Sequence, residues 1–176
     1  MILDRNTLSA QASVMAAITL VKPQSDTAGV VLETECQDAG CFYLGDEDRV
    51  RQILVILLSN ALKFTDPGGS ISVSCGTSHT PDAEVRLTGD GPWTFIRVKD
   101  TGIGISPEEA EMVFQPFVQV DVGNTRKRGG AGLGLSIGLE LARRMGGDLT
   151  LRSHSGEGSC FTLWLPGAAP SEEPAD

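Results

Sequence analysis

Trp93-Thr-Phe-Ile-Arg-Val-Lys-Asp100-Thr-Gly-Ile-Gly-Ile105-Ser-Pro-Glu-Glu109 is the stretch on which the reading of this chain turns. Trp93–Lys99 has strand character, and Ile96 and Val98 share the parity of Asp100, so the strand carries a carboxylate toward the apolar side of a sheet rather than toward water. Gly102 and Gly104 follow at once. Ser106-Pro107-Glu108-Glu109 then supplies an N-cap, a proline at the first helical position and a capping-box glutamate, which predicts a helix from 107 to about Gln115. Taken alone, Asp-Thr-Gly is also ordinary turn chemistry, in which the carboxylate bonds nearby backbone amides.

Upstream, Asp46 can cap a helix whose first turn holds Glu47 and Asp48, and Val50, Ile53, Leu54, Leu57, Leu58 and Ala61 follow the i, i+3, i+4, i+7 spacing. Asp66-Pro67-Gly68-Gly69 stops it, and Ile71, Val73 and Cys75 alternate with serines as a half-buried strand. A short strand is predicted at Val85–Leu87. Closer to the N-terminus, residues 7–22 read as a helix ending before Pro23, and Val30–Cys36 and Cys41–Leu44 as a hairpin or paired edge. Met1–Arg5 reads as the stump of a longer segment. Downstream, Gly132–Met145 is predicted helical, with Arg143 and Arg144 in its last turn and Gly146-Gly147 as its stop. Leu149–Ser153 and Cys160–Leu165 form a hairpin around Ser155-Gly-Glu-Gly, and the Pro-, Ala- and Glu-rich tail reads as disordered.

Four features of this frame could carry chemistry. Asn60 lies inside the best-patterned helix, a poor place for asparagine by propensity, on one face with Gln52, Ile56 and Lys63. A solvated polar face accounts for it; so does an amide oxygen ligating a hard cation such as Mg²⁺, with Lys63 one turn on reaching a phosphate. Asp100 could accept the exocyclic amine of adenine, with Gly102 and Gly104 leaving the backbone bare enough for the base to lie flat. Gly129-Gly-Ala-Gly-Leu-Gly-Leu135 sets alternating glycines at a helix start, where unpaired N–H groups can face phosphates. It is neither a Walker A loop nor a Rossmann fingerprint, and a packing or hinge role fits it equally. Pro116–Ala131 shows little periodicity and is long enough to suggest a functional loop or lid; it carries Arg126-Lys127-Arg128, a dense basic cluster immediately before the glycine motif.

The composition is consistent with a single globular domain: 176 residues, 40% hydrophobic and 21% charged. Fourteen basic against 23 acidic residues give a net charge of −9, which argues against sequence-independent binding to nucleic acid or anionic lipid. Cys36, Cys41, Cys75 and Cys160 form no C-x-x-C pair, and two histidines are too few for a zinc site, so the cysteines read as four reduced thiols. No apolar run is long enough to span a bilayer and no signal peptide is evident, which predicts a soluble, cytosolic chain.

Together the motifs resemble the ATP-binding catalytic domain of sensor histidine kinases, within the superfamily that includes gyrase, Hsp90 and MutL. Asp48-x-x-Arg51-Gln-Ile-Leu-x-x-Leu-Leu-Ser-Asn60-Ala-x-Lys63-Phe-Thr is similar to the N box, Asp100–Ile105 to the G1 box, Phe114-Gln-Pro-Phe117 to the F box and Gly130-Ala-Gly-Leu-Gly-Leu135 to the G2 box; Gly156-Glu-Gly-Ser-x-Phe resembles the final glycine turn. The resemblance implies an α+β fold of Bergerat type: a two-layer α/β sandwich with a mixed, mostly antiparallel sheet covered on one face by three helices, and an ATP lid at about residues 116–131. It divides the chain into a remnant of a preceding dimerisation helix or linker (1–6), the catalytic domain (7–166) and a tail (167–176). It implies ATP and Mg²⁺ as cofactors, with the metal on Asn60, phosphates on Lys63, Arg126 approaching the γ-phosphate, and nucleotide contacts from Asp100, Gly102, Gly104, Ile105, Phe117, Gly130, Gly132, Leu133, Gly134 and Leu135.

Phosphoryl transfer asks mainly for positioning and charge neutralisation. Neither His79 nor His154 stands in the helical His-Glu or His-Asp setting of an acceptor. The implied acceptor is therefore a histidine on a dimerisation domain of the same parent, with a response-regulator receiver as the next partner, a homodimeric parent and a monomeric isolated domain. No contact with nucleic acid or membrane is expected. One departure is Ile56, where these kinases commonly carry asparagine and hydrolysing relatives a glutamate base; without a carboxylate there, water activation loses its usual agent. Ile56 also favours a second reading, a degenerate nucleotide-sensing or scaffold module that binds adenine nucleotide without phosphoryl transfer.

Overall fold

Strands whose alternate residues are apolar must bury one side, and here one set of helices covers that side for the whole sheet. The computed structural model describes residues 3–36, 40–81, 85–87, 89, 91–116, 134–154 and 156–169. In chain order they form β1 (Asn6–Ser9), α1 (Ala10–Ala28), β2 (Val31–Thr34), β3 (Phe42–Gly45), α2 (Glu47–Phe64), β4 (Ser70–Ser78), β5 (Trp93–Asp100), α3 (Pro107–Met112), α4 (Gly134–Arg144), β6 (Asp148–His154) and β7 (Gly158–Ala168). The strand order is β1-β3-β7-β5-β4-β2, with β6 also paired to β7. β2 runs parallel to β4, and the other pairs are antiparallel. The sheet is thus mixed and mostly antiparallel, as expected.

α1 packs on α2 and α2 on α4, so three helices lie side by side over one sheet face. Beneath them Ile71, Val73, Ile96, Val98, Leu163 and Leu165 are buried against Ile53, Leu54, Leu57 and Leu58 of α2. Full burial of each such side chain contributes roughly 1.5–3 kcal/mol relative to exposure, so packing rather than propensity holds α2 in place. Its start is fixed as predicted: Asp46 Oδ1 accepts the N–H groups of Asp48 (3.1 Å) and Arg49 (3.3 Å). Asp46 Oδ2 accepts the N–H of Asp4 at 2.9 Å, and this bond first, with the two cap bonds, holds the Asp46 carboxyl below the usual carboxylate range.

Several local expectations are corrected. The N-terminal helix does not begin at residue 7 or stop before Pro23. Residues 6–9 pair with β3, Ser9 caps α1 by accepting the Ala12 N–H at 3.2 Å, and the helix continues through Pro23 to Ala28. Val21 and Ser25, on either side of the proline, are buried, and tertiary packing offsets the hydrogen bond that Pro23 cannot donate. The helix closes at Gly29, whose φ of +70° is left-handed. Residues 30–36 and 41–44 form no hairpin with each other: β2 lies against β4, and β3 lies between β1 and β7. Residues 85–87 are not a strand; they are tied by the Arg86 N–H to Asp148 Oδ2 at 2.8 Å. α3 ends at Met112 rather than Gln115, and β7 runs on to Ala168, two residues past the boundary expected at 166.

Candidate functional site

Asp100 ends β5 with a neighbour strand on each side, opposite Ile71 of β4 and Ser159 of β7. That position explains how a carboxylate comes to be only 3% exposed. Its Oδ1 accepts the N–H groups of Gly102 (2.9 Å) and Ser159 (3.3 Å). Oδ2 takes no hydrogen bond among the described residues. Burial pushes the Asp100 carboxyl above its ordinary range, against the opposing pull of those two N–H donors. The turn reading and the ligand reading of Asp100 are therefore compatible: one oxygen fixes the turn and the other remains for a donor.

The loop after Asp100 is clamped from two sides. The end of α2 reaches it through the Phe64 carbonyl, which accepts the Ile103 N–H at 3.2 Å. A Cβ on Gly102 would lie 2.1 Å from that carbonyl oxygen, so only glycine lets the helix end and the loop approach this closely. From the other side Gly156 donates its N–H to the Ile103 carbonyl at 2.6 Å. Ser153 Oγ accepts the Ile105 N–H (2.7 Å) and donates to the Gly158 carbonyl (2.9 Å), and it lies 2.9 Å from Ser159 Oγ. Ile105 is 2% exposed and belongs to the core, with α3 capped just beyond it by the expected box between Ser106 and Glu109.

The second wall is α2. At one end of a half-buried stripe on this helix, Ile56 Cγ2 would be 3.3 Å from a Cβ on Gly134, so the start of α4 rests on Ile56. Two turns later Phe64 meets the Gly102 loop. Residues 56, 60 and 64 share one helical face, which sets the half-buried Asn60 between the start of α4 and the loop after Asp100. Lys63, also half-buried, lies on the adjoining face, and Leu135 of α4 is buried. Asn60, Lys63, Asp100, Gly102, Gly104, Ile105, Gly134 and Leu135 thus lie on elements that converge. Phe117, Arg126, Gly130, Gly132 and Leu133, with the expected lid, fall outside the described residues. Phe114, the first ring of the predicted aromatic pair, packs edge-on against Phe161 at 6.1 Å between centroids.

Ser153, Ser159 and Gly158 were not singled out individually by the sequence, although the Gly156-Glu-Gly-Ser turn that contains two of them was. Their role is to hold Asp100 and Ile105, and only strand pairing reveals it. Neither histidine lies on a helix: His79 follows β4 and His154 ends β6. Among the described residues no helix is long and apolar enough to cross a membrane.

A family described as histidine kinase-, DNA gyrase B- and HSP90-like ATPases matches residues 45–169, and the chain belongs to it. Within that family the similarity is to the ATP-binding catalytic domains of sensor histidine kinases. The chain is 44% identical over 129 residues to the sensor protein TorS of Escherichia coli, covering 73% of this chain and 12% of that protein. It is 37% identical over 164 residues to the histidine protein kinase DivJ of Caulobacter vibrioides, covering 93% of this chain and 25% of the relative. It therefore spans a quarter or less of the length of these two relatives. Among solved structures, full-length ShkA in complex with AMPPNP superposes with a TM-score of 0.79 at 27% identity, over 97% of this chain and 33% of that one.

Proposed function

We propose that this domain binds ATP with Mg²⁺ and presents the γ-phosphoryl group to a histidine on a dimerisation domain of the same parent protein, for relay to a receiver aspartate. The observation that carries the reading is the division of labour at Asp100: Oδ1 is saturated by backbone N–H groups, and Oδ2 is left as an acceptor at the mouth of a bare glycine loop. An adenine amine is a donor of matching chemistry, and Gly102 and Gly104 add no side chain against the ring. Asn60 and Lys63, on the wall between this loop and the start of α4, would take the metal and the phosphates. When bound, Mg²⁺ neutralises phosphate charge. Among the described residues no group of three or more His, Cys, Asp and Glu could hold a metal alone, so Asn60 would share the ion with phosphate oxygens. Arg126 would approach the γ-phosphate from the lid. The parent is a cytoplasmic or membrane-tethered homodimer, with this domain on the cytoplasmic side.

Ile56 supports a second reading, in which the domain senses adenine nucleotide without transferring phosphate. The two separate by calorimetric titration with a non-hydrolysable ATP analogue and with ADP, each with and without Mg²⁺. The kinase reading expects Mg²⁺ to strengthen binding and the triphosphate to be distinguished. Equal binding of both nucleotides with no effect of Mg²⁺ would leave an adenine pocket alone and favour the sensing module.

A further inference from the structure

Cys36 and Cys75 face each other across the β2–β4 pair, with Cys41 close by, in the middle of β4 and four residues along the sheet from the Asp100 register. Thr34 pairs with Val73 in the parallel ladder, and the Glu35 N–H continues it to the Val73 carbonyl at 2.8 Å, which sets Cys36 opposite Cys75. Cys75 shares the parity of the buried Ile71 and Val73, so both thiols face the helix side. Register sets the two side chains next to each other, and each perturbs the other's thiol, with Cys41 adding to the effect on Cys75. Opposed residues on neighbouring strands lie about 4.8 Å apart, inside the range of roughly 4.4–6.8 Å between Cα atoms that a disulfide spans. Cys36 stands beyond the last paired residue of β2, its carbonyl held by Gln11 Nε2 at 3.0 Å, so closing the bond need not break a strand pair. Cys36 is buried, while the partly exposed Cys75 gives a small oxidant access.

We propose that Cys36 and Cys75 form a peroxide-oxidised dithiol site. One sulfur of the pair attacks one peroxide oxygen and the O–O bond breaks, giving a sulfenic acid and one water. The other sulfur then displaces the sulfenic hydroxyl, which leaves as a second water with that thiol's proton. Overall two thiols lose two electrons and two protons to hydrogen peroxide, and the Sγ–Sγ bond forms. The juxtaposition of the two thiols across the β2–β4 register is what lets the second displacement follow the first. The loop so closed contains β3 and all of α2, the helix that bears Asn60 and Lys63. The bond itself sits opposite Ile96, four residues along β5 from Asp100. Oxidation should therefore raise the thermal midpoint by about 5–10 °C, and nucleotide affinity should stay within about twofold because the sites are distant.

The test treats the folded 176-residue chain with hydrogen peroxide, alkylates remaining thiols after denaturation and maps the non-reduced peptides, with cleavage before Asp38 to separate Cys36 from Cys41. The expected product is a Cys36–Cys75 cross-link within one chain, reversed by dithiothreitol. Cys36→Ala and Cys75→Ala each abolish it, whereas Cys160→Ala leaves it. Mapping of the unsubstituted chain decides the matter even if a variant fails to fold. A Cys41–Cys75 link, a link between two chains, or full alkylation of both Cys36 and Cys75 after peroxide would overturn the proposal.

Discussion

The two ends of the candidate site are built differently. Around Asp100 the contacts are made by backbone: two N–H groups on one carboxylate oxygen, a carbonyl from α2 on one side of the loop and a glycine N–H on the other. Along α2 the candidate side chains Asn60 and Lys63 lie on a helix face and are half-buried, and Ile56 sets an apolar contact at the start of α4. The first end is preorganised, because its geometry cannot relax without breaking the sheet. The second is conditional, because half-buried side chains on a helix face can change rotamer without disturbing the sheet, so a ligand can reorganise them. Recognition of the base should accordingly be a property of the fold, and discrimination of the phosphate chain a property of the metal and the bound triphosphate.

That contrast can be broken most sharply at Asp100. Asp100→Asn keeps an Oδ1 for Gly102 and Ser159 but turns the free acceptor into a donor, so affinity for both ADP and the ATP analogue should fall about 10–100-fold. The calorimetric comparison that would refute the adenine assignment is one in which this variant binds as tightly as the parent. At Asn60 the expected loss is selective. Asn60→Ala should remove most of the Mg²⁺-dependent gain in triphosphate affinity, about 5–10-fold, and leave ADP binding without metal unchanged. A uniform loss for both nucleotides, with or without Mg²⁺, would show that the helix face is not conditional on the ion.

Ser153→Ala probes the preorganised end through its support. It deletes a hydroxyl serving Ile105, Gly158 and Ser159, and should cost about 1–2 kcal/mol in denaturant unfolding. Ile56→Asn sharpens the other end: an amide beside Asn60 should strengthen Mg²⁺-dependent binding by about threefold, roughly one hydrogen bond's worth, and no change would remove Ile56 from the metal's surroundings. The smallest effect is on pH dependence. Asp100 has its folded-state pKa raised by burial, so its ionised form disfavours the fold above that pKa, and the penalty disappears as pH falls through it. Asp100→Asn should thus match or exceed the parent's thermal midpoint at neutral pH, with the difference vanishing in acid. Asp46 has the opposite sign: its lowered pKa gives stability present above the unfolded value and lost as pH falls through the folded one. The difference in thermal midpoint between Asp46→Asn and parent should therefore narrow in acid.

α2 and its cap were legible because Val50 through Ala61 repeat with helical period and Asp46 has a carboxylate for the first N–H groups. β5 was legible because Ile96, Val98 and Asp100 alternate. β1 was not, since a four-residue strand has too few positions to show its period, and β2, although read as a strand within Val30–Cys36, was given the wrong neighbour because nothing local names its partner. Pro23 misled because a helix-breaking residue was weighed without the buried Val21 and Ser25 around it. Of the site, Asp100, Gly102, Asn60 and Lys63 stood out by residue type in pattern. Ser153 and Gly158 did not, because serine and glycine in a hairpin are unremarkable until strand pairing brings them beneath the loop.

By itself the sequence determined the chemistry available to this domain: a carboxylate at a strand end, bare glycines after it, an amide and an ammonium on one helix, and the family these define. The tertiary structure alone decided which oxygen of Asp100 stays available, what limits Gly102 to glycine and which cysteines face each other. Residue types and periods are local properties of a chain, whereas register, close approach and burial arise only when distant segments compete for the same space.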